Sequence, residues 1–304
     1  MADVRTIQFT KIVKETLYSG MEFVKTAFSH DGFVNNDKVQ IPTGGTLPDV
    51  VEDRSSFPIT VTTRTDDQVE YDLIEFSLGA LRISEKDMKE LSYDKMRSIV
   101  MQIQKKLGDS IALRALYNWA QATPAIDSSG TAVANIGPPS STGNRQPLEL
   151  VDISQAAAKL DEDKVSQQNR YMIVPSKVYW NFVTNNKAQL LNLDYNKNLT
   201  NGDISNGVVS KVYGFGIIPR AYTCVYTAGG TLKAVGAAAA ATDEWGIVAY
   251  QADEVCRALG SVKIYINRDD AEYQGDVVSG TIRFNAVKMY GTDEIGVVTI
   301  KQDT

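Results

Sequence analysis

The chain has 304 residues, 43% of them hydrophobic and 22% charged, with a formal net charge of -6. That is the composition of a soluble folded protein with room for one large or two modest cores, and it excludes extensive disorder. An acidic balance without a basic run does not suit a protein that neutralises phosphates, because sequence-independent nucleic-acid affinity comes mostly from lysine and arginine releasing counterions.

The opening MADVRTIQF lacks the positive-then-apolar layout of a signal peptide, and no apolar run approaches the ~20 residues that span a bilayer. Two cysteines, Cys224 and Cys256, are too few for a disulfide framework in so long a chain and read as small buried hydrophobes. A reducing cytoplasm is the expected setting.

Residues 1 to 35 read as an N-terminal arm, weakly amphipathic through Ile7, Ile12/Val13, Leu17, Phe23/Val24 and Phe28, without a strand ladder. Residues 36 to 56 are turn-rich, with Pro42, Gly44, Gly45 and Pro48. Alternation then predicts a long hairpin: Phe57, Ile59 and Val61 share one face, and Val69, Tyr71 and Leu73 share another beyond a polar turn near Asp66 and Asp67. No further strand is expected before the next helix. A two-stranded hairpin is marginal alone in water, so its partner is expected to be another chain.

KELSYDKMRSIVMQIQKKL opens that helix. From Ser92 as N-cap, apolar residues recur at Met96, Ile99/Val100, Ile103, Leu107, Ile111, Ala115/Leu116 and Trp119, always three or four apart. Gly108 costs about 1 kcal/mol relative to alanine. Leu107 and Ile111 nevertheless stay in phase across it, so a continuous helix is expected. From Tyr93 to Ala120 it would run roughly 40 Å, longer than the ~30 Å of a small domain.

Residues 123 to 147 are the one Gly/Ser/Pro-rich segment, long enough to be functional or mobile. After them the pattern predicts a helix from Leu148 to Asp163, a buried strand RYMIVP, and a helix opening at Ser176 with Val178, Tyr179, Phe182 and Val183 inward. Then come VYGFGIIPR and EWGIVAY as strands, a short helix DEVCRAL, the strand SVKIYIN, and two long closing strands between Val277 and Lys301, joined near Gly291 and Asp293. The order describes an α/β body.

Chemistry is sparse. His30, the single histidine, lacks the partners of a triad or a zinc site and reads as a surface or packed residue. VYGFGIIPR lacks the third glycine and the following helix of a dinucleotide fingerprint, and no lysine-bearing phosphate loop occurs. Asp194, Asn196 and Asn198 imitate the start of a calcium loop, but Leu199 and Ser205 occupy the positions that require glycine and glutamate. The acidic pairs Asp66-Asp67, Asp161-Glu162-Asp163, Asp243-Glu244 and Asp269-Asp270 read as solvated turns, and Trp119, Trp180 and Trp245 as core. No catalytic residue, cofactor site or metal site is assigned.

RSSFPITVTTRTDDQVEYDLIEF, then ISEKDMKELSYDKMRSIV with Tyr93-Asp94-Lys95 at its centre, and YNWA resemble the extended loop and spine helix of tailed-phage major capsid proteins of the HK97-like fold, particularly a branch from phages of Bacteroidetes. YMIVPSKVYWNFV, GVVSKVYGFGIIPR, EWGIVAY and GDVVSGTIRFNAVKMYGTDEIGVVTI extend the resemblance over most of the chain. It implies an α+β capsid fold: residues 1–35 an N-arm, 36–91 an extended β-hairpin E-loop, 92–165 with 262–304 a peripheral domain carrying the spine helix, and 166–261 an α/β axial domain. It further implies a structural, non-enzymatic protein that assembles with itself as hexamers and pentamers around double-stranded DNA. Portal, a separate scaffolding protein and decoration proteins are the implied partners, with no membrane involved. Assembly is expected in the host bacterial cytoplasm, and the virion capsid is the destination. An encapsulin-like nanocompartment shell is the alternative. No fused scaffolding segment is expected, since Met1 leads directly into the arm. The Lys/Asn/Glu set of covalently cross-linked shells finds no match.

Overall fold

The computed structural model describes residues 21–35, 38–43, 52–55, 57–58, 61, 63, 67–84, 95–186, 211–289 and 294–304. Its centre is the strand Glu244–Gln251, EWGIVAYQ, in which all eight residues are buried. A strand covered on both faces has no use for a polar alternate position, which is why this run is so uniformly apolar. Trp245, Ile247 and Ala249 face a layer formed by the helices Leu150–Glu162 and Ser176–Asn185, while Val248 and Tyr250 face the long helix Lys95–Trp119.

On one side Glu244–Gln251 pairs antiparallel with Arg170–Pro175, and on the other antiparallel with Val297–Lys301. Arg170–Pro175 in turn pairs in parallel with Phe215–Arg220. Parallel neighbours need a crossover, and the helix Ser176–Asn185 begins it, burying Val178, Tyr179, Phe182 and Val183 as the periodicity requires. The glycines of VYGFG have separate tasks: Gly214 takes φ +84° in the tight turn between Val212 and Phe215, and Gly216 lies against the Tyr171 ring. Gly246 is the tightest point of the sheet, because a Cβ there would stand 2.5 Å from both Cys224 Sγ and Tyr226 Cε2. Gly246→Ala is therefore expected to lower stability by about 1–3 kcal/mol, read from the urea midpoint of the unassembled chain.

The second sheet is a long ribbon of Val255–Asp270 and Gly275–Lys288, antiparallel from Val255↔Lys288 to Asp270↔Gly275, with irregularities after Leu259 and after Asn267. The long helix lies along it. Its stripe of Ile99, Val100, Ile103, Leu107, Ile111, Ala115, Leu116 and Trp119 is buried, and it continues unbroken through Gly108. At 25 residues it is about 37 Å long. The length has a reason: Ile103 and Leu107 sit over Gly280 of the ribbon, whereas Trp119 at the far end reaches Tyr250 of the central sheet, so one rod ties the two sheets together.

Several expectations are corrected. Residues 253–259 are not a helix: a turn leads into the strand at Val255, and Val255, Cys256 and Ala258 pair with Lys288, Val287 and Asn285. The ladder to a partner strand prevails over weak local helix preference. The hairpin strand Asp67–Asp72 pairs with Lys38–Thr43, inside the segment read as turns, while Ile59 and Thr60 of the expected partner run lie outside the described residues. Val39 opposite Tyr71 and Ile41 opposite Val69 carry the alternation, in a run too short, between polar neighbours and Pro42, to stand out. Further strands do intervene before the helix: Ile74–Ser77 and Leu81–Ser84 both add to Gly275–Lys288. The arm is not free of ladders, since Phe28–Ser29 pairs with Cys256–Arg257 and Val34–Asn35 with Lys38–Val39. The 123–147 segment is built into the body, Ile126–Asp127 extending the central sheet beside Ile300–Lys301 and Val133–Ala134 pairing with Asn144–Arg145. The Ser92 cap, the apolar positions from Ile7 to Leu17, the 194–205 loop and the Gly291–Asp293 join lie outside the described residues.

Candidate interaction surfaces

Among the described residues no group of three or more His, Cys, Asp or Glu side chains is placed to hold a metal ion, and no helix is long and apolar enough to cross a membrane. What the fold presents instead is surface. A three-stranded ribbon of Val34–Asn35, Lys38–Thr43 and Asp67–Asp72 forms a sheet of its own. On its outer side Lys38 Nζ lies 2.9 Å from Glu70 Oε1 and 3.4 Å from Asp72 Oδ1. These are exposed pairs of small energetic weight. Beyond the ribbon Phe57 is 72% and Val61 92% exposed.

A second exposed apolar region is tied to the body by two cations, Lys233 and the buried Arg145. The alanine-rich loop 234–242 is tied down from beneath: Lys233 Nζ donates to Ala238 O at 2.6 Å and to the Asp243 carboxylate at 2.7 and 2.9 Å, while the Asp243 carboxylate accepts from Ala240 N–H at 2.8 Å. Arg145, 3% exposed, spreads its guanidinium over the carbonyls of Thr142, Asn144, Ala241 and Asp243. A guanidinium is suited to this, having five donors in a fixed plane. Between this loop, Tyr117 and Pro138 lies an apolar cavity of about 240 Å³ that also meets Tyr222 and Trp245.

The sequence candidates fall as follows. His30 is packed, as expected, with Nδ1 3.0 Å from the Tyr71 hydroxyl. Cys224 and Cys256 are free and buried; burial pushes their thiols up to about 12 and about 11, so both stay protonated and unreactive. Asp243-Glu244 is not a solvated turn: both carboxylates are buried, and Glu244 Oε2 accepts from Lys301 Nζ at 2.7 Å. Burial pushes the Glu244 carboxyl above its ordinary range, and Lys301 opposes that shift. Asp161 is half-exposed and paired with buried Arg170 at 2.7 Å, and Asp270 caps the exposed ribbon turn by accepting from Glu272 N–H. Trp119 and Trp245 are core, but Trp180 points outward, 55% exposed, on the solvent face of its helix. The buried cations Arg145 and Lys301 and the partly buried Lys233 escaped the sequence reading. Lys301 had one signal, a lone basic residue closing the apolar run VVTIK, whereas Arg145 within STGNRQP had none.

The fold is shared with solved structures. The capsid of cyanophage P-SCSP1u superposes with a TM-score of 0.64 at 16% identity, covering 90% of this chain and 86% of that one. The chain has a phage capsid fold. The capsid of Ralstonia phage GP4 gives 0.63 at 9% identity, covering 92% and 87%, and that of cyanophage Pam1 gives 0.62 at 11%, covering 90% and 88%. No family model matches the chain, and no curated protein matches it in sequence. The mixed α+β architecture with its long helix and separate three-stranded ribbon is the HK97-like fold expected from the sequence.

Proposed function

We propose that this chain is a major capsid protein, a structural subunit that assembles with itself into the closed shell of a tailed phage around double-stranded DNA. The observation that carries the reading is the match of the fold, along about nine tenths of the chain, to capsid subunits of several phages. In this reading residues 1–35 are the N-arm, 36–91 the E-loop, 92–165 with 262–304 the peripheral domain, and 166–261 the axial domain. The exposed Phe57 and Val61 beyond the ribbon then lie against a neighbouring subunit. Hexamers and pentamers of the chain, a portal and a separate scaffold are the partners, with assembly in the host cytoplasm and the virion capsid as destination. The role is structural, not catalytic. The similarity to phage capsids favours the genome shell over an encapsulin-like nanocompartment.

A subunit with many neighbours needs only weak individual contacts, because each contact after the first is effectively intramolecular. The ribbon is the place to test this. Thr43 and Asp67 are directly paired, so an Asn-Gly turn can join them in place of residues 44–66 without disturbing the ladder below. The shortened chain is expected to keep the urea midpoint of the full chain yet yield no closed shells in electron micrographs, where the full chain with its scaffold yields them. Normal shells from the shortened chain would remove residues 44–66 from the interface; a full chain that stays monomeric beside its scaffold would remove the capsid reading itself.

A further inference from the structure

The apolar cavity beside the alanine-rich loop draws its walls from distant parts of the chain: Leu113 and Tyr117 of the long helix, Pro138, and Tyr222, Val235 and Trp245. Its edge is anchored, since Lys233 Nζ donates to Ala238 O at 2.6 Å and Arg145 Nη2 to Ala241 O at 3.1 Å. At about 240 Å³ it is larger than the roughly 150 Å³ that holds a benzene ring. Lys233 and Asp243 in the wall neutralise each other. Arg114, whose guanidinium lies 5.3 Å from the centre of the Tyr117 ring, pairs with no carboxylate among the described residues and leaves a positive charge beside the cavity.

The same chain carries a knob of matching character. Phe57 and Val61 are the most exposed large hydrophobic residues among those described, and Glu52, Asp53 and Arg54, all exposed, precede them with a net negative charge. Phe57 does not enter the cavity of its own chain, because it is 72% exposed. We propose that the Phe57 ring of one subunit inserts into the cavity of the next, with Val61 packed on the exposed edge at Tyr222 and Val235 and the acidic pair Glu52-Asp53 drawn toward Arg114. Knob and cavity are different patches of one surface, so the contact runs head to tail and closes into a ring where its rotation allows. Hexamers and pentamers are such rings. The inference therefore rests on the capsid reading and adds to it the two patches that meet.

Shell formation by the full chain with its scaffold, followed against chain concentration by light scattering and electron micrographs, tests the contact as a double-mutant cycle. Phe57→Ala and Val235→Gln are each expected to raise the concentration needed for shells about tenfold, the effect of losing one large buried apolar contact, because each subunit gives one knob and takes one. Both positions are exposed in the unassembled chain, so its urea midpoint is expected to stay unchanged. Together the two changes are expected to do no more than the larger alone, since they remove the same contact. Effects that multiply would mean two independent surfaces and would overturn the proposal, as would shells insensitive to either variant. Placement is read directly from Phe57→Cys combined with Val235→Cys, the native Cys224 and Cys256 being buried and unreactive. Oxidised shells of that double variant are expected to give a ladder from dimer to ring size on a denaturing gel without reductant. A ladder from Phe57→Cys alone would set knob against knob, and shells that stay monomeric on the gel would separate knob from cavity; either would overturn the docking and leave the capsid reading standing. A native chain that forms no shells beside its scaffold would remove both.

Discussion

Lys301→Met is expected to cost the unassembled chain about 3–5 kcal/mol at neutral pH, the range found when one partner of a buried ion pair is removed. Lys301 is 7% exposed and its ammonium lies 2.7 Å from Glu244 Oε2, with Asp127 at 3.5 Å and Asp303 at 3.8 Å. Glu244 is 1% exposed and has no other cation within ion-pair distance among the described residues. Without the lysine it keeps a charge in the centre of the sheet with little to stabilise it. The pH dependence has a definite sign. Burial already raises the Glu244 carboxyl above its ordinary value of 4.5, and loss of Lys301 raises it further. A raised carboxyl favours the folded state as it takes up its proton. The deficit of the variant is therefore full above the folded pKa and shrinks as pH falls through it toward 4.5. Urea midpoints at several pH values check this, and Glu244→Gln on the Lys301→Met background is expected to recover most of the loss. An unchanged midpoint in the single variant would show that water reaches the pair.

Trp119→Ala is the other large effect, again about 3–5 kcal/mol. The indole is fully buried, edge-on to Phe23 at 5.9 Å and 5.1 Å from Tyr250, and its Nε1 donates to Cys256 O at 3.4 Å. It therefore joins the long helix to the arm, the central sheet and the return strand at once. The variant is expected to lose amide protection first in Met21–Ala27, whose Phe23 packs directly on the indole, before global unfolding. A midpoint lowered without that early loss would mean the arm is held by other contacts, such as the Tyr250 hydroxyl donating to Phe23 O at 3.2 Å or Arg220 over the Phe23 ring at 5.2 Å. Trp119→Phe, which retains much of the apolar volume, is expected to cost considerably less.

The resemblance and the structure agree on architecture, yet they draw on different information. The long helix was legible because its apolar stripe repeats every three or four residues over seven turns, and a pattern that long has few alternatives. Ser176–Asn185 was legible for the same reason, with Val178, Tyr179, Phe182 and Val183 on one side. EWGIVAY was legible as a strand, but that all eight residues of Glu244–Gln251 are buried came only from the structure. Residues 253–259 were misread because Asp-Glu followed by a mixed apolar and basic segment fits a helix start as well as a turn into a strand. Asp243 and Glu244 were misread for a related reason: adjacent acids look solvated until their cations, Lys233 and Lys301, are known to lie beside them inside the fold.

The sequence by itself determined the long helix, the helices opening near Leu148 and at Ser176 with their buried faces, the buried strand RYMIVP and, through the order of its motifs, the kind of fold they compose. Tertiary structure alone decided that Asp67–Asp72 pairs with Lys38–Thr43, that Val255 starts a strand, that Trp180 faces out, and that Lys301 goes inside with Glu244. The division has a physical cause. Periodicity is a local property, written within a few turns of chain, whereas strand partnership and the burial of a charge are settled by groups brought together from distant parts of the sequence, and no window along the chain contains both partners.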